Sequence, residues 1–254
     1  MGQNLIRVQD LEDNPTARVP VCLCLDVSGS MNIIIPGTGR ATNEQRVIDG
    51  QRVYIAEGGV SRLDEMQKGI ESFYETVRSD PQAHDAAEIC VVTFGAGGAH
   101  IACDFAGVDR QTVPRLSADG ETPMGEAVNL ALDCLEQRKK EFKEAGVDYF
   151  QPWLVLMTDG VPNGNQQALE QAITRTRNLA NANRLTVFPM AVSEEADLAT
   201  LSRFSPKRPP AKLKNMNFKD FFEWLGKSVQ QLSNSVPGEK PTLPHDNVDT
   251  WWEI

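Results

Sequence analysis

Apolar residues along the chain fall into two patterns, continuous runs and runs with helical spacing. Continuous apolar runs bounded by polar or glycine-containing segments are typical of buried strands, whereas apolar residues three or four positions apart are typical of amphipathic helices. The continuous runs predict strands at 19–26, 87–95, 152–160 and 185–192. The helical spacing predicts helices at 61–80, 122–146, 165–183, 196–203 and 217–235.

The order of these elements predicts the fold class. Strands that are nearly continuous apolar runs, separated by helices, are typical of a parallel sheet covered on both faces. Residues 99–107 follow Gly97-Gly98 and are predicted to pair with 87–95 as a hairpin. We therefore predict an α/β fold with a doubly wound, mostly parallel central sheet and helices on both faces.

One domain with three additions accounts for the whole pattern. We assign residues 19–235 to the domain, 1–18 to an N-terminal arm, and 236–254 to a C-terminal tail that contains Trp251 and Trp252. The two tryptophans either pack on the domain or contact a partner. An insertion at 32–60 contains "RVIDGQRVYI", which has the form of a β-hairpin around Asp49-Gly50.

Charge and cysteine content narrow the classes of function. Asp and Glu number 35 against 25 Lys and Arg, and this net charge of −10 disfavours binding to nucleic acid or to an anionic membrane. The basic segment "SPKRPPAKLK" (205–214) is interpreted as a solvated loop. Five cysteines without zinc or redox spacing predict buried free thiols, and no secretory signal or membrane span is visible, so we expect a cytoplasmic protein.

Small oxygen-bearing side chains follow the predicted strand ends. Asp26, Ser28 and Ser30 follow the first strand, Asp159 ends the third, and Thr122 precedes a helix. Taken singly, each has an ordinary role in a turn or a helix cap. In an open parallel sheet, however, ligands bind beyond the carboxyl ends of the strands, where these residues are expected to converge.

The chemistry of this set favours a hard cation. Two carboxylates and three hydroxyls, without thiol or imidazole, suit Mg²⁺, with Mn²⁺ or Ca²⁺ as substitutes. With so few charged ligands the ion would keep positive charge and bound waters. A carboxylate from another molecule would then be able to displace one of these waters.

Three motifs in this order resemble the von Willebrand factor type A domain and its metal-ion-dependent adhesion site. They are "DVSGS" (26–30), "GETPMGEAV" (120–128) and "LMTDG" (156–160). The resemblance covers about 19–235 and implies that Asp26, Ser28, Ser30, Thr122 and Asp159 hold the metal. It also implies a mostly parallel sheet with one antiparallel edge strand, a place that residues 99–107 suit.

The C-terminal part resembles a narrower group. "FKDFFEWLGKSVQQLSNSVPGEKPTLP" (218–244) is similar to the end of bacterial TerY-like proteins, which are associated with tellurite resistance and stress response. The resemblance implies a protein kinase and a metal-dependent phosphatase as partners. The insertion at 32–60 departs from compact members of the family, which pass almost directly from the serine loop into the first helix.

Two classes of function remain open. The first is a protein-binding adapter whose metal completes its coordination with an acidic residue of a partner, and this is the function that we favour. The second is a Mg²⁺-dependent phosphohydrolase on a similar sheet. Such an enzyme usually needs a second acid two residues after its aspartate, where this chain has Ser28, and His84, His100 and His245 lie outside the predicted strand-end loops.

Overall fold

The computed structural model describes residues 11, 14–48, 51–95, 97–238 and 252–253. The strands in this part of the chain are β1 (Val19–Val27), β2 (Arg40–Ile48), β3 (Gln51–Glu57), β4 (Ala87–Gly95), β5 (Gly98–Gly107), β6 (Trp153–Thr158), β7 (Thr186–Ala191), β8 (Ala211–Leu213) and β9 (Trp252–Glu253). The α-helices are α1 (Arg62–Ser79), α2 (Pro81–Ala86), α3 (Met124–Glu144), α4 (Gln166–Asn181), α5 (Leu198–Phe204) and α6 (Phe218–Ser233).

Seven of these strands form one sheet in the order β5-β4-β1-β6-β7-β8-β9. The pairs from β4 through β8 are parallel, and β5 lies antiparallel to β4 at one edge. The predicted mostly parallel sheet with an antiparallel edge strand is therefore confirmed. At the other edge the two-residue β9 pairs antiparallel with β8, a strand that the sequence pattern did not predict.

Helices cover both faces of the sheet because alternate residues of each strand point to opposite sides. Val21 and Leu23 of β1 belong to the core cluster that includes α1 and α6. Cys22 and Cys24 belong to the cluster that includes α3 and α4. All nine residues of β1 are buried, as expected for a central parallel strand covered on both faces.

The predicted and observed elements differ in two places besides β9. The interpretation of the basic segment 205–214 as a solvated loop is wrong, because three of its residues form β8, which pairs with the edge of β7. The helix α2 was also not predicted, although Asp80 caps it by accepting a hydrogen bond from the Ala83 amide at 2.8 Å. Of the five free cysteines, Cys22, Cys24 and Cys90 are buried and the other two are half-buried.

The insertion forms the predicted hairpin, with β2 and β3 as an antiparallel pair in a sheet of their own. Its turn residues, Asp49 and Gly50, lie outside the described residues. The base of the insertion is held by backbone hydrogen bonds, in which the Ile35 amide donates to the Val60 carbonyl and the Arg62 amide donates to the Ile33 carbonyl. The half-buried Ile33–Ile35 segment is thus tied to the start of α1.

Within the described residues, no helix combines the length and the apolar character that crossing a membrane requires.

Candidate metal centre

The candidate site lies where the chain reverses its direction of travel across the sheet. From β1 the chain passes through α1 to β4 and β5 on one side, and through α3 to β6 on the other. Between β1 and β6 the strand order therefore reverses, which is where ligands bind in open parallel sheets. The register pairs Leu25 with Met157, so Asp26 and Thr158 are the next residues at this shared edge.

Asp26 is fully buried and held through both carboxylate oxygens. Its Oδ1 accepts a hydrogen bond from the Ser28 amide at 2.8 Å, and its Oδ2 accepts one from Thr158 Oγ1 at 2.5 Å. Burial, followed by the negative charge of Asp159, raises the pKa of Asp26 to about 7. The ionised carboxylate is therefore disfavoured in this site unless a positive charge lies close to it.

A continuous chain of contacts links the serine loop to the second aspartate. Ser28 Oγ and Ser30 Oγ are 3.0 Å apart, and Ser30 Oγ donates to Asp159 Oδ1 at 2.6 Å. Ser28 and Asp159 are buried, whereas Ser30 is half-buried at the end of the series. Four of the five predicted ligands thus come together at one strand edge, although Ser30 and Asp159 are 129 residues apart in the sequence.

Thr122 reaches the same edge through the loop before α3. Asn163 holds its backbone on both sides: Asn163 Oδ1 accepts from the Thr122 amide at 2.6 Å, and the Asn163 amide donates to the Thr122 carbonyl at 3.2 Å. A Cβ placed on Gly160 would lie 3.8 Å from Thr122 Oγ1, so this hydroxyl lies beside the residue that follows Asp159. Within the described part of the chain, Thr122 makes no direct hydrogen bond to the other four residues.

The loop before Thr122 is also tied to the serine loop. The Asp119 amide donates to the Val27 carbonyl at 2.9 Å, and the Gly29 amide donates to the Gly120 carbonyl at 3.0 Å. Gly95 is required here because a Cβ at this position would lie 2.4 Å from the Val27 carbonyl oxygen. The close approach of these backbones fixes the relative positions of the first and second loops.

Arg62 is a site residue that the sequence analysis missed. Its Nη1 donates to Asp159 Oδ2 at 2.8 Å and its Nη2 contacts Glu195 Oε2 at 3.2 Å. The Arg62 side chain is 7% exposed, and its Nε has no hydrogen-bond partner among the residues that the structure describes. A buried guanidinium therefore compensates part of the negative charge of Asp159 and lies between the site and the first turn of α1.

Two further residues position the third loop. Thr158 fixes Asp26, as described above, and its Oγ1 also accepts a hydrogen bond from the Gly160 amide at 3.2 Å. Ser193, which follows β7, donates to the Asp159 carbonyl at 2.6 Å. Of Arg62, Thr158 and Ser193, only Arg62 could have been found from the sequence. It is a cation in the first turn of a helix, where the helix dipole is unfavourable to positive charge, so an acidic residue is expected close to it.

The donor set fits a hard divalent cation. The five predicted residues offer oxygen atoms only, and two buried carboxylates face one buried arginine, which leaves net negative charge at the site. Burial and, after it, the negative charge of Asp159 raise the pKa of Asp26, so a nearby cation would favour its ionised form. Softer metals prefer thiolate and imidazole ligands, which this set lacks. The described residues contain no group of three or more His, Cys, Asp and Glu side chains that could hold a metal ion, so a cation here would depend on the hydroxyl oxygens as well as on the two carboxylates.

Comparison with solved structures identifies the fold, although no family model and no curated protein matches the chain. The SpRpn10 VWA domain has 11% identity and a TM-score of 0.51, over 80% of this chain and 93% of that domain. The vWF domain of the type V pili tip protein Mfa5 from Porphyromonas gingivalis has 11% identity and a TM-score of 0.54, over 89% and 98%. This chain has a von Willebrand factor type A fold.

Another similar structure is the TFIIH p34 N-terminal domain, with 10% identity and a TM-score of 0.52 over 85% of this chain and 98% of that domain. Other similar structures are longer chains, of which this chain spans 31%, 49% and 62% in three cases. Identities this low show the von Willebrand factor type A fold alone. The similarity to TerY-like proteins, the metal ligands and the cytoplasmic location stay predictions.

Proposed function

We propose that this protein is a metal-dependent protein-binding adapter. The observation that carries the proposal is the contiguous set of Ser28, Ser30 and Asp159 beside the buried Asp26 at the switch point of the sheet. Mg²⁺ is the cation that we assign to this set, with Mn²⁺ or Ca²⁺ as substitutes, and Thr122 completes it. A bound divalent cation would supply a positively charged centre for an acidic side chain of a protein partner.

This chain's own residues define how a partner would meet the metal. Ser30 is half-buried and lies at the exposed end of the ligand series, whereas Asp26 and Asp159 are buried beneath it. A carboxylate from outside would therefore approach from the side of Ser30. Arg62 contributes a fixed positive charge beneath that side without being accessible itself.

The insertion is proposed to set which partner binds. It leaves the chain two residues after Ser30 and returns at Ser61, directly before Arg62, so both of its ends lie at the metal edge. The backbone hydrogen bonds of Ile33 and Ile35 to the start of α1 hold this base in place. The hairpin of β2 and β3 beyond it is then available to contact a partner without disturbing the sheet.

The wider assignment follows the resemblance to TerY-like proteins. We assign the protein to a bacterial stress-response or tellurite-resistance system in the cytoplasm, with a protein kinase and a metal-dependent phosphatase as partner classes. The similar structures include a domain of a pili tip protein and the TFIIH p34 N-terminal domain. These are assembly components and not enzymes, which favours the adapter over the phosphohydrolase.

Capture of a partner with and without metal tests the adapter function. The immobilised full chain is expected to retain a specific protein from a lysate of its source organism in millimolar Mg²⁺ and to release it in EDTA. A chain with Ser30→Ala is expected to lose this protein, because one ligand beside the partner's carboxylate is removed. Equal capture in Mg²⁺ and EDTA would contradict the proposal.

The insertion has a separate test. Replacing residues 36–58 by a short Gly-Ser bridge, which keeps the Ile33–Ile35 base, is expected to leave metal binding intact and to abolish capture of the partner. Calorimetry with Mg²⁺ shows whether the site survives in this variant. Retained capture by the shortened chain would show that the hairpin does not choose the partner.

Removal of the metal is expected to leave the fold intact. The sheet and its helices bury two large apolar clusters that include no metal ligand, so the core does not depend on the ion. The far-ultraviolet circular dichroism of the chain is expected to be unchanged in EDTA. A loss of helical signal on chelation would show that the metal is structural.

A further inference from the structure

A cavity of about 870 Å³ opens at the opposite end of the sheet from the metal centre. It lies at the amino ends of β6 and β7, where Trp153 and Thr186 begin these strands. The turn after α4 and the segment before β8 complete its wall. This volume lies within the range of pockets that bind small organic ligands, roughly 300–1,000 Å³.

The lining of this cavity is cationic although the chain as a whole has a net charge of −10. Four cations line it, namely Lys139, Arg184, Lys207 and Arg208. Among the described residues that line the cavity there is no Asp or Glu. A local excess of positive charge in an acidic protein indicates an anionic ligand.

Three of the four cations lack a negatively charged partner in the described part of the chain, and two of these, Arg184 and Arg208, have no side-chain hydrogen-bond acceptor there either. Lys139 is paired with Glu136 Oε1 at 2.6 Å, and Lys207 donates to the amide oxygen of Asn183 at 2.6 Å. By contrast, the guanidinium of Arg208 lies 5.0 Å from the centre of the Phe188 ring and contacts no carboxylate there. Arg184 is exposed, and its side chain likewise has no acceptor among these residues.

The half-buried Arg208 guanidinium contacts no carboxylate of the described residues that would offset the cost of burying its charge. Desolvation lowers the pKa of this guanidinium, and no opposing effect of a carboxylate accompanies it. The contact of the guanidinium with the Phe188 ring restricts this side chain, so less conformational freedom would be lost when it binds an acceptor. A guanidinium held in this way is suited to two parallel hydrogen bonds with a phosphate group.

The rest of the lining suits a ligand with an organic body. Tyr149 is half-buried at the cavity, and Pro152, Trp153 and Val187 add apolar surface. Gln151 and Asn183 provide amide groups at the same wall. An inorganic anion alone would leave most of this apolar lining without contact.

We propose that this cavity is a binding site for a small organic phosphate, of the chemical class of a nucleoside diphosphate, with its phosphate groups on Arg184 and Arg208. The site is separate from the metal centre, which lies at the carboxyl ends of the same strands. The two sites can therefore be tested independently, and binding here needs no divalent cation.

Calorimetry with the full chain in EDTA tests the site, with ADP as the probe. ADP is expected to bind with one-to-one stoichiometry. Adenosine, which lacks the phosphates, is expected to bind at least about tenfold more weakly, since it cannot form the charged hydrogen bonds to the two arginines. Arg184→Gln and Arg208→Met are each expected to weaken ADP binding by about tenfold or more. Methionine keeps an unbranched apolar stem beside Phe188, and circular dichroism checks that each variant is folded.

A matched control separates a specific site from the general effect of charge. Lys68→Gln removes one positive charge from the exposed surface of α1 and is expected to leave ADP binding unchanged. The absence of saturable ADP binding, or equal weakening in Lys68→Gln and the two arginine variants, would overturn the proposal. Pyrophosphate is expected to bind more weakly than ADP, and equal affinity would overturn the assignment of an organic ligand.

Discussion

Asp26→Asn is expected to weaken Mg²⁺ binding by on the order of a hundredfold or more, because it removes one of two carboxylates from a site of otherwise neutral oxygens. The substitution keeps the size of a fully buried side chain whose oxygens contact the Ser28 amide and Thr158 Oγ1. Calorimetry with Mg²⁺ measures the loss. Unchanged affinity would contradict the assignment of this metal ligand.

The same variant is expected to be more stable than the natural chain in EDTA at pH 8. Burial and then the charge of Asp159 raise the pKa of Asp26 to about 7, above its value in the unfolded chain. Ionisation of Asp26 therefore opposes folding, and the stability that its protonated form contributes is lost as the pH rises through about 7. Asparagine avoids this loss, so the thermal midpoints of the two chains are expected to converge near pH 4.

Arg62→Met is expected to change Mg²⁺ affinity in the opposite direction. The Arg62 guanidinium lies 2.8 Å from Asp159 Oδ2 and compensates its charge in competition with a bound cation. Methionine removes the positive charge and retains an apolar stem, so several-fold tighter binding of Mg²⁺ is expected. Weaker binding in this variant would show that Arg62 acts mainly by orienting Asp159.

Glu88→Gln is expected to destabilise the fold by about 3–5 kcal/mol, because it breaks a buried ion pair and leaves Arg138 paired, among the described residues, with the more exposed Glu141 alone, at 2.6 Å. Both oxygens of Glu88 accept hydrogen bonds from Arg138, at 2.5 and 2.8 Å, and both side chains are 1% exposed. Arg18 Nε lies 3.6 Å from the same carboxylate. Unfolding by urea, followed by circular dichroism, measures the change in free energy.

Two control variants test whether burial of the Glu88–Arg138 ion pair causes the expected loss of stability. Asp133→Asn breaks an exposed pair with Arg175 and is expected to leave the urea midpoint nearly unchanged. The double variant Glu88→Leu with Arg138→Met removes both charges and is expected to cost less than Glu88→Gln alone. A double variant that is as unstable as the single one would contradict the electrostatic cause.

Hydrophobic periodicity predicted the long elements closely, because the strands of the sheet are buried on both faces and the helices on one. The first strand was predicted at 19–26 and lies at Val19–Val27, and the last helix was predicted at 217–235 and lies at Phe218–Ser233. The short helix α5 was predicted, but three other short elements, α2, β8 and β9, were not. The strand β8 has three residues after two prolines, and it forms because the edge of β7 offers unpaired backbone groups.

The candidate ligands were predictable because each one follows a strand or precedes a helix at a position that local sequence marks. Asp26 and Asp159 come at the ends of apolar runs, and parallel strands place such ends at one edge of the sheet. Their convergence therefore needed only the order of the elements. Thr122 was predictable from its place directly before Pro123 and a helix, although Asn163, which holds its backbone, was not.

The sequence by itself thus determined the fold class, the strands that carry the candidate ligands and the oxygen chemistry of the site, since these depend on local pattern and residue type. Only the tertiary structure determined which charged side chains lie close to one another. Arg62 contacts Asp159 across 97 residues of sequence, and Arg184 and Arg208 line one cavity from different segments. Contacts between distant segments follow from how helices and strands pack, and neither the spacing nor the type of a residue specifies its distant neighbours.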